Sequence, residues 1–392
     1  VSPLGEAPDA LIDADLTVRR VDDAAGRRAF LDLPYTLYGR DPNFRPPLRF
    51  ERASHLKRHL SGKEPTEQHA LFLCERRGEV VGRIAAFLNR AHLDRYEDGA
   101  GHFGLLAAVD DQRVVAALLR AAEEHLRGLG MTQIVGPYDF SVNEEIGLPE
   151  SGFDTPPMLM MPYARPALAE AVAATGYETK MRLLAFVVDL DAHYPRPPVV
   201  QKLQAQVEAD PSLRLRKMEP KRFREDVRAC MAIFNDAWAN NWSYLPFSDE
   251  QVDHVASELK PLLEPDAFWI GEKNGEPMAF VVMAPNVNEA ARDLSGRMLP
   301  FGWAKLLWRL KRHEVTTARM MLMGVKQDLQ KSRTGVALVC SLFEEAFAAG
   351  RAKGIKTCEM SWVLDNNVDV QRLIKLSGAE VYKTYRMVGK AL

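Results

Sequence analysis

Ala318 Arg319 Met320 Met321 Leu322 Met323 Gly324 Val325 is an apolar run long enough for a strand, and a polar stretch from Lys326 to Thr334 follows it. Gly335 Val336 Ala337 Leu338 then opens a segment of helical spacing that lasts to about Gly350. Gln330 Lys331 Ser332 Arg333 Thr334 Gly335 therefore stands where a strand hands over to a helix N-terminus. Bare amides and the positive end of the helix dipole meet there, which suits a phosphate. Without a side chain, Gly335 would let a ligand approach the main chain, and Lys331 and Arg333 add positive charge. A plain loop with exposed basic residues is the competing reading of this stretch alone.

Working outward, Ile355 to Val363 reads as a second strand, with Asp365 Asn366 Asn367 as a helix entry. Val368 to Leu376 is a short helix that stops at Ser377 Gly378, and a last strand runs from Glu380 to about Val388. This order (strand, polar loop, helix, strand, short helix, strand) resembles the acyl-CoA-binding half of the GNAT superfamily of N-acyltransferases. The family's phosphate loop is Gln/Arg-x-x-Gly-x-Gly/Ala; Gly335 and Ala337 fit its last positions, while Ser332 stands where Gln or Arg is usual. The family's thiolate-protonating tyrosine is replaced by Ile374.

The plan occurs twice. Leu16 to Asp22 matches Leu213 to Glu219, and Leu73 Cys74 Glu75 Arg76 Arg77 Gly78 Glu79 matches Ile270 Gly271 Glu272 Lys273 Asn274 Gly275 Glu276, both at an offset of 197 (213 − 16). Gly130 to Asn143 aligns with Gly354 to Asn367 at 224 (354 − 130), which assigns the difference to an insertion at 287–317, between the third and fourth strands of the second half. Strands are expected near 16–21, 69–75, 79–88, 101–109, 132–138 and 180–189 in the first half, with helices near 23–38, 111–128 and 166–175. The fold class is α/β (α+β): two tandem GNAT-like domains, each a mixed sheet flanked by helices. Their expected limits are a leader at 1–15 without fixed structure, a first domain at 16–193, a Pro-bounded linker and lead-in at 194–211, and a second domain at 212–392. At offset 224, Gly335 corresponds to Asp111. The first half then opens its helix with two acids and no glycine, so it is expected to have lost the coenzyme that the second half keeps.

Composition narrows the class. The chain has 392 residues, 47% hydrophobic and 27% charged, with a net charge of −2, so no general attraction to nucleic acid is expected. Four cysteines at Cys74, Cys230, Cys340 and Cys358 show no metal spacing and fit buried thiols in a reducing compartment. Of the nine histidines, His55 and His59 are four apart with no third ligand nearby in sequence, so no metal site is expected. No apolar run reaches about eighteen residues, and the first fifteen lack a signal-peptide core; the expectation is a cytoplasmic protein.

Inside the insertion, Met298 to His313 is basic, Trp-rich and amphipathic. Leu299, Trp303, Leu306, Leu307 and Leu310 are expected on one face and Lys305, Arg309 and Arg312 on the other. Two readings stand open: a segment lying on an anionic membrane surface at the inner face of the cytoplasmic membrane, or a core-packing helix with a solvated basic face. Phe153 to Tyr163, dense in Met and Pro, is expected to form a pliable apolar wall facing the other half.

For the chemistry, Glu359 lies mid-strand in Lys356 to Trp362, and alternation puts Ser361 on its face. A buried glutamate with a raised pKa would serve as general base; a structural carboxylate paired with Arg386 or Arg372 is the alternative. Tyr385 or Tyr382 is the candidate proton donor to the thiolate. Asn235 to Tyr244 is rich in amide and aromatic side chains where GNAT enzymes hold acceptor substrates.

Taken together, Tyr38 to Pro47, Asn143 with Pro156 Pro157, Leu299 to Trp303, Glu359 to Trp362, Asn366 and Tyr385 Arg386 are similar to one bacterial tandem-GNAT family, which includes sphingoid-base N-acyltransferases. The resemblance implies long-chain acyl-CoA as co-substrate, with no permanently bound cofactor, and the amine of a sphingoid base or related lipid as acceptor. It implies coenzyme contacts at Val325, Gln330, Lys331, Ser332, Arg333, Thr334, Gly335, Val336, Ala337 and Asn366, and acceptor contacts at Asn241, Trp242, Tyr244, Asn143 and Trp303. Catalytic roles fall to Glu359, Ser361 and Tyr385. A non-catalytic acyl-CoA sensor and a transferase using aminoacyl-tRNA are the alternatives; the absent basic tract opposes the second.

Overall fold

The structure is a computed structural model that describes residues 15–62, 66–191, 197–259 and 265–392. The expected leader, up to residue 14, and the first residues of the linker, 194–196, lie outside the described residues. Among the described residues fifteen strands are formed: β1 Leu16–Arg20, β2 Thr66–Arg76, β3 Glu79–Asn89, β4 Ala100–Ala108, β5 Gln133–Gly136, β6 Tyr138–Asp139, β7 Ser141–Ile146, β8 Leu148–Ser151, β9 Glu178–Asp189, β10 Leu213–Lys217, β11 Phe268–Lys273, β12 Glu276–Pro285, β13 Thr317–Val325, β14 Thr357–Leu364 and β15 Glu380–Ala391.

Each half begins with an antiparallel β-meander. The β2–β3 and β11–β12 hairpins turn at Arg77-Gly78 and Asn274-Gly275, each pair with positive φ, the geometry of the two-residue hairpin turn that matches strand twist. Arg19 pairs with Glu75 at 2.6 Å, and its counterpart Arg216 pairs with Glu272 at 2.5 Å. The repeat thus extends to an ion pair, beyond the hydrophobic pattern.

The two sheets join. Strand order is β1-β2-β3-β4-β5-β15-β9-β14-β13-β12-β11-β10, with β8 beside β15. The last strand of each half is exchanged: β9 pairs with β14 of the second half, and β15 pairs with β5 of the first. β9 and β15 pair with each other antiparallel between them. The seam is thus ordinary sheet hydrogen bonding, and the chain is built as an internal pseudo-dimer.

Helices cover the sheet because their apolar residues recur at three and four. In helix Arg333–Ala352, Leu338, Leu342, Phe343, Ala346 and Phe347 are buried, packed on Ala279, Val281 and Met320 of the sheet. Helix Gln112–Gly128 buries Val114, Val115, Leu118, Leu119 and Leu126 in the same way over the first half. Truncating one of the buried phenylalanines to alanine would cost about 3–5 kcal/mol.

Register refines the placement of the extra residues. Gly82 pairs with Ala108 and Ala279 with Val325, so β4 maps onto β13 at an offset of 217 (325 − 108). The offset thus rises from 197 to 217 across the third-to-fourth connection, and reaches 224 only at β5 and β14. Part of the gain expected at 287–317 therefore lies after the fourth strand, where the supposed loop Lys326–Thr334 contains a short helix, Gln327–Gln330.

Candidate active site

In both halves the fourth and fifth strands start parallel and then part. β4 and β5 pair from Ala100↔Gln133 to His102↔Val135, and β13 and β14 from Thr317↔Thr357 to Met320↔Met360. Arg319 is opposite Glu359, beside the point of parting in the second half.

Glu359 is wholly buried. Its Oε1 accepts a 2.7 Å hydrogen bond from Ser361 Oγ and lies 3.3 Å from Arg319 Nε, and its Oε2 accepts from the Tyr382 hydroxyl. Arg319, also buried, donates to the carbonyls of Leu159 (2.6 Å) and Ser361 (3.3 Å), and its guanidinium lies 4.9 Å from the Trp362 ring centre. Burial pulls Arg319 below its ordinary pKa while Glu359 acts against that. The partner of Glu359 is therefore neither Arg386, which donates to Ala169 O, nor Arg372, which is exposed beside Asp369. Arg319 was legible as a single cation in an apolar strand, a residue that needs a counter-charge wherever that strand is central.

Two bulges aim this cluster. The β14–β9 register breaks between Met360 and Val363, and the β15–β9 register between Val381 and Lys383. An unbroken strand would put Tyr382 and Tyr385 on opposite faces; the bulge sends both toward Glu359. Burial, and then the charge on Glu359, raises the pKa of both phenols. Lys383 is buried next to them and donates to the carbonyls of Gly152 and Thr155, and burial pushes it down to about 8.

The Met-rich loop meets the second half as expected. Met158 O accepts from Asn288, Leu159 O from Arg319, and Met161 Sδ lies 3.5 Å from Ser361 Oγ. Asn143 reaches the segment that carries Trp242 and Tyr244: Asn143 Nδ2 donates to Leu245 O, Trp242 packs half-buried against the core cluster that holds Phe140, and Tyr96 donates to Tyr244 O. Asn241 closes the turn with its backbone amide on Trp238 O. Trp303 stands apart, half exposed on the insertion helix Gly302–Lys311.

At the helix N-terminus the amides are not all free. Ser332 caps helix Arg333–Ala352, its Oγ accepting from Gly335 N at 2.9 Å, so that donor is taken. Gly335 is required by its own chain, because a Cβ there would lie 2.1 Å from Leu329 O. The Gln330 side chain is committed to the carbonyls of Ala237 and Val325. Lys331 is exposed, Arg333, Thr334 and Val336 lie at the surface or half-buried, and Ala337 is buried. Arg333 and Thr334 carry amides that a helix's first turn leaves without an intrahelical acceptor. Asn366 is exposed on the turn after β14. By role, Ser332 is the counterpart of Asp111, which caps helix Gln112–Gly128 through Arg113 N and is also held by Arg76. The acids expected to block the first half are there, but their equivalent is the capping serine, not Gly335.

The insertion helix divides differently from the expected faces. Leu306 and Arg309 are buried, with Arg309 paired to Asp293 at 2.6 Å. Leu299 (81%), Phe301 (77%), Trp303, Leu307 and Trp308 are exposed together, beside Arg312. Among the described residues no helix is long and apolar enough to cross a membrane.

No protein-family model matches the chain. It is 39% identical over 369 residues to Protein YghO of Escherichia coli K12, covering 93% of each chain. It is 38% identical over 384 residues to the bacterial ceramide synthase of Caulobacter vibrioides, covering 97% of this chain and 98% of that one. Its fold matches a tandem GNAT protein from the clavulanic acid biosynthesis pathway at a TM-score of 0.54 and 15% identity, over 96% of this chain and 98% of that one. With this identity over nearly its whole length, the chain belongs to the tandem GNAT-like family of acyl-CoA-dependent N-acyltransferases that includes bacterial ceramide synthase.

Proposed function

We propose that the chain transfers a long-chain acyl group from acyl-CoA to the amine of a sphingoid base or related lipid amine. The observation that carries this reading is the buried Glu359 beside the parting of β13 and β14, with Ser361 and Tyr382 hydroxyls on its two oxygens. Glu359 is sealed from solvent, whereas Ser361 and Tyr382 are half-buried. An ammonium entering the cleft gives its proton to Glu359 through Ser361 Oγ, and the free amine attacks the thioester carbonyl. The tetrahedral oxyanion collapses, the C–S bond breaks, and Tyr382 or Tyr385 gives the thiolate a proton and takes in its place the second proton, which the nitrogen sheds as it becomes an amide; the products are amide and free thiol, and the first proton leaves Glu359 for solvent. Arg319, 3.3 Å away through Nε, is the paired cation that keeps Glu359 aimed.

The coenzyme's diphosphate is assigned to the turn with Lys331, Arg333 and the amides of Arg333 and Thr334. Met161, beside Ser361, and Met158 on the same loop supply an adaptable wall for an alkyl chain. The exposed Leu299, Phe301, Trp303, Leu307 and Trp308 fit a lipid surface, which is where both substrates reside.

Incubating the chain with radiolabelled long-chain acyl-CoA and a sphingoid base tests the reading directly. Formation of the labelled amide with stoichiometric thiol release is expected. Tight acyl-CoA binding without thiol release for any lipid amine would overturn it. Addition of anionic vesicles should retain the chain in the pellet, and Phe301→Ser with Trp303→Ser should release it.

A further inference from the structure

Helix Arg49–Leu60 places His55 and His59 one turn apart on one face. The fold brings a third group that the local sequence does not offer: Glu144, from β7, 85 residues beyond His59. His55 Nε2 lies 2.9 Å from Glu144 Oε2, and His59 Nε2 lies 3.0 Å from Glu144 Oε1. One ligand atom from each residue falls within 4.8 Å of the others.

Both remaining ring nitrogens face an oxygen. His59 Nδ1 is 3.1 Å from Thr66 Oγ1, within hydrogen-bond reach, and His55 Nδ1 is 3.8 Å from Asp139 Oδ1, beyond it. Metal-bound imidazoles characteristically use their second nitrogen as His59 does here, which holds the ring with its first nitrogen turned inward. Asp139 is 4% exposed, and its Oδ1 has no hydrogen-bond partner. His59 stacks on Phe140 with ring centres 4.5 Å apart, which keeps the imidazoles from rotating away.

The carboxylates here are Glu51, Asp139, Glu144 and Glu145. The guanidiniums are Arg52 (on Asp139 at 2.5 Å and Glu145 at 3.6 Å), Arg58 (on Glu144 at 3.3 Å) and Arg83, which feels Asp139. The rival occupant is a proton. Burial works against a charge on His55, yet Asp139 and Glu144 outweigh it and raise the imidazole to about 9.

We infer that His55, His59 and Glu144 form a Zn2+ site, with a water completing the tetrahedron, that clamps helix Arg49–Leu60 to the β6–β7 hairpin. Ligands at about 2.0–2.1 Å in tetrahedral geometry sit about 3.3 Å apart, so small movements of the present groups accept the ion. The clamp is structural. β7 also carries Asn143 and Glu145, and Glu145 faces Arg319 and Tyr385 electrostatically, so the ion steadies a strand that borders the Arg319–Glu359 cluster.

The test uses the untagged full chain. After treatment with chelator and desalting, titration with Zn2+ against a chromophoric chelator should show one tight equivalent, and Co2+ in its place should give the visible absorption of a tetrahedral site. Thr66→Val should weaken Zn2+ by about 10–100-fold. His59→Gln and Glu144→Gln should lose the equivalent, whereas His313→Gln should keep it. Absence of tight binding to the unsubstituted chain overturns the proposal even if the variants fail to fold. Full occupancy in folded His59→Gln or Glu144→Gln overturns it too.

Discussion

The two partings of the sheet make a controlled comparison, since register fixes which residues correspond. Beside the first, His102 is opposite Val135; beside the second, Arg319 is opposite Glu359. Past the first, Gly104 is approached so closely by the Tyr138 carbonyl that a Cβ would lie 1.5 Å from it. The chain leaving β5 therefore fills its own gap. Past the second, Met321 and Met360 stand at the positions of Gly104 and Gly136, and the charged pair is joined by two hydroxyls. One copy uses the parting for packing, while under the proposed function the other keeps it open for chemistry. On that proposal, closure of one parting is how a chain with two similar halves comes to have one reactive centre.

The strongest way to break that comparison is to exchange the pairs. Glu359→Gln should cost about 3–5 kcal/mol in urea unfolding, because it leaves Arg319 charged and unpaired in the interior. The double variant Arg319→His with Glu359→Val copies the first half and should recover most of that stability. Amide formation should stay down by about 10²–10⁴-fold in both, the range that loss of a general base produces. A stable double variant with full activity would remove Glu359 from the chemistry.

The first half's member of the comparison is open to a pH measurement. His102 is buried against Phe87, His92 and Tyr138, and burial, with His92 adding to it, pushes its pKa down to about 3. An unfolded histidine titrates near about 6.5. Below about pH 6.5 the unfolded chain therefore takes up a proton that the folded chain refuses, and stability falls as pH drops toward 3. At higher pH this group has no effect. The contribution approaches roughly 1.4 kcal/mol per pH unit at most. His102→Phe should flatten that part of the acid limb of the stability curve, and an unchanged limb would mean that His102 is already protonated in the folded state.

How much of this was legible follows from the range of each interaction. Hairpins, the helix Arg333–Ala352 and the repeat at 197 are local patterns of period two or 3.6, and the structure places them within a few residues of expectation. Glu359 and Ser361 were legible because alternation puts them on one face. Arg319 as the partner of Glu359, and Glu144 as the partner of His55 and His59, join distant parts of the chain, and no local pattern reports them. Tyr382 was named as a candidate proton donor, but its bond to Glu359 was obscured by a bulge, which breaks the alternation on which the reading depends. The exchange of β9 and β15 was invisible for a related reason: both strands are apolar enough to be central, and sequence alone does not say in which copy.

The smallest effect concerns the two helix N-termini, and it sharpens the comparison at the coenzyme. Asp111 caps its helix and is held well below the usual carboxylate range, first by Arg113 and also by Arg76. Ser332 does the same work without a charge. The second turn is therefore capped without an acid, beside the exposed Lys331 and Arg333. Lys331→Ala and Arg333→Ala should each raise the Kd for acyl-CoA several-fold, more at low salt than at high, as expected of exposed cations acting through solvent. Gly335 is a poor probe, since any side chain there meets Leu329 O and disturbs the turn itself. Asp111→Ala should lower stability by about 1 kcal/mol through loss of its cap and leave acyl-CoA affinity unchanged. Titration calorimetry with a non-hydrolysable acyl-CoA separates the cases: if Asp111→Ala strengthens binding while the Lys331 and Arg333 variants do nothing, the coenzyme lies in the first half and the assignment of the two clefts reverses.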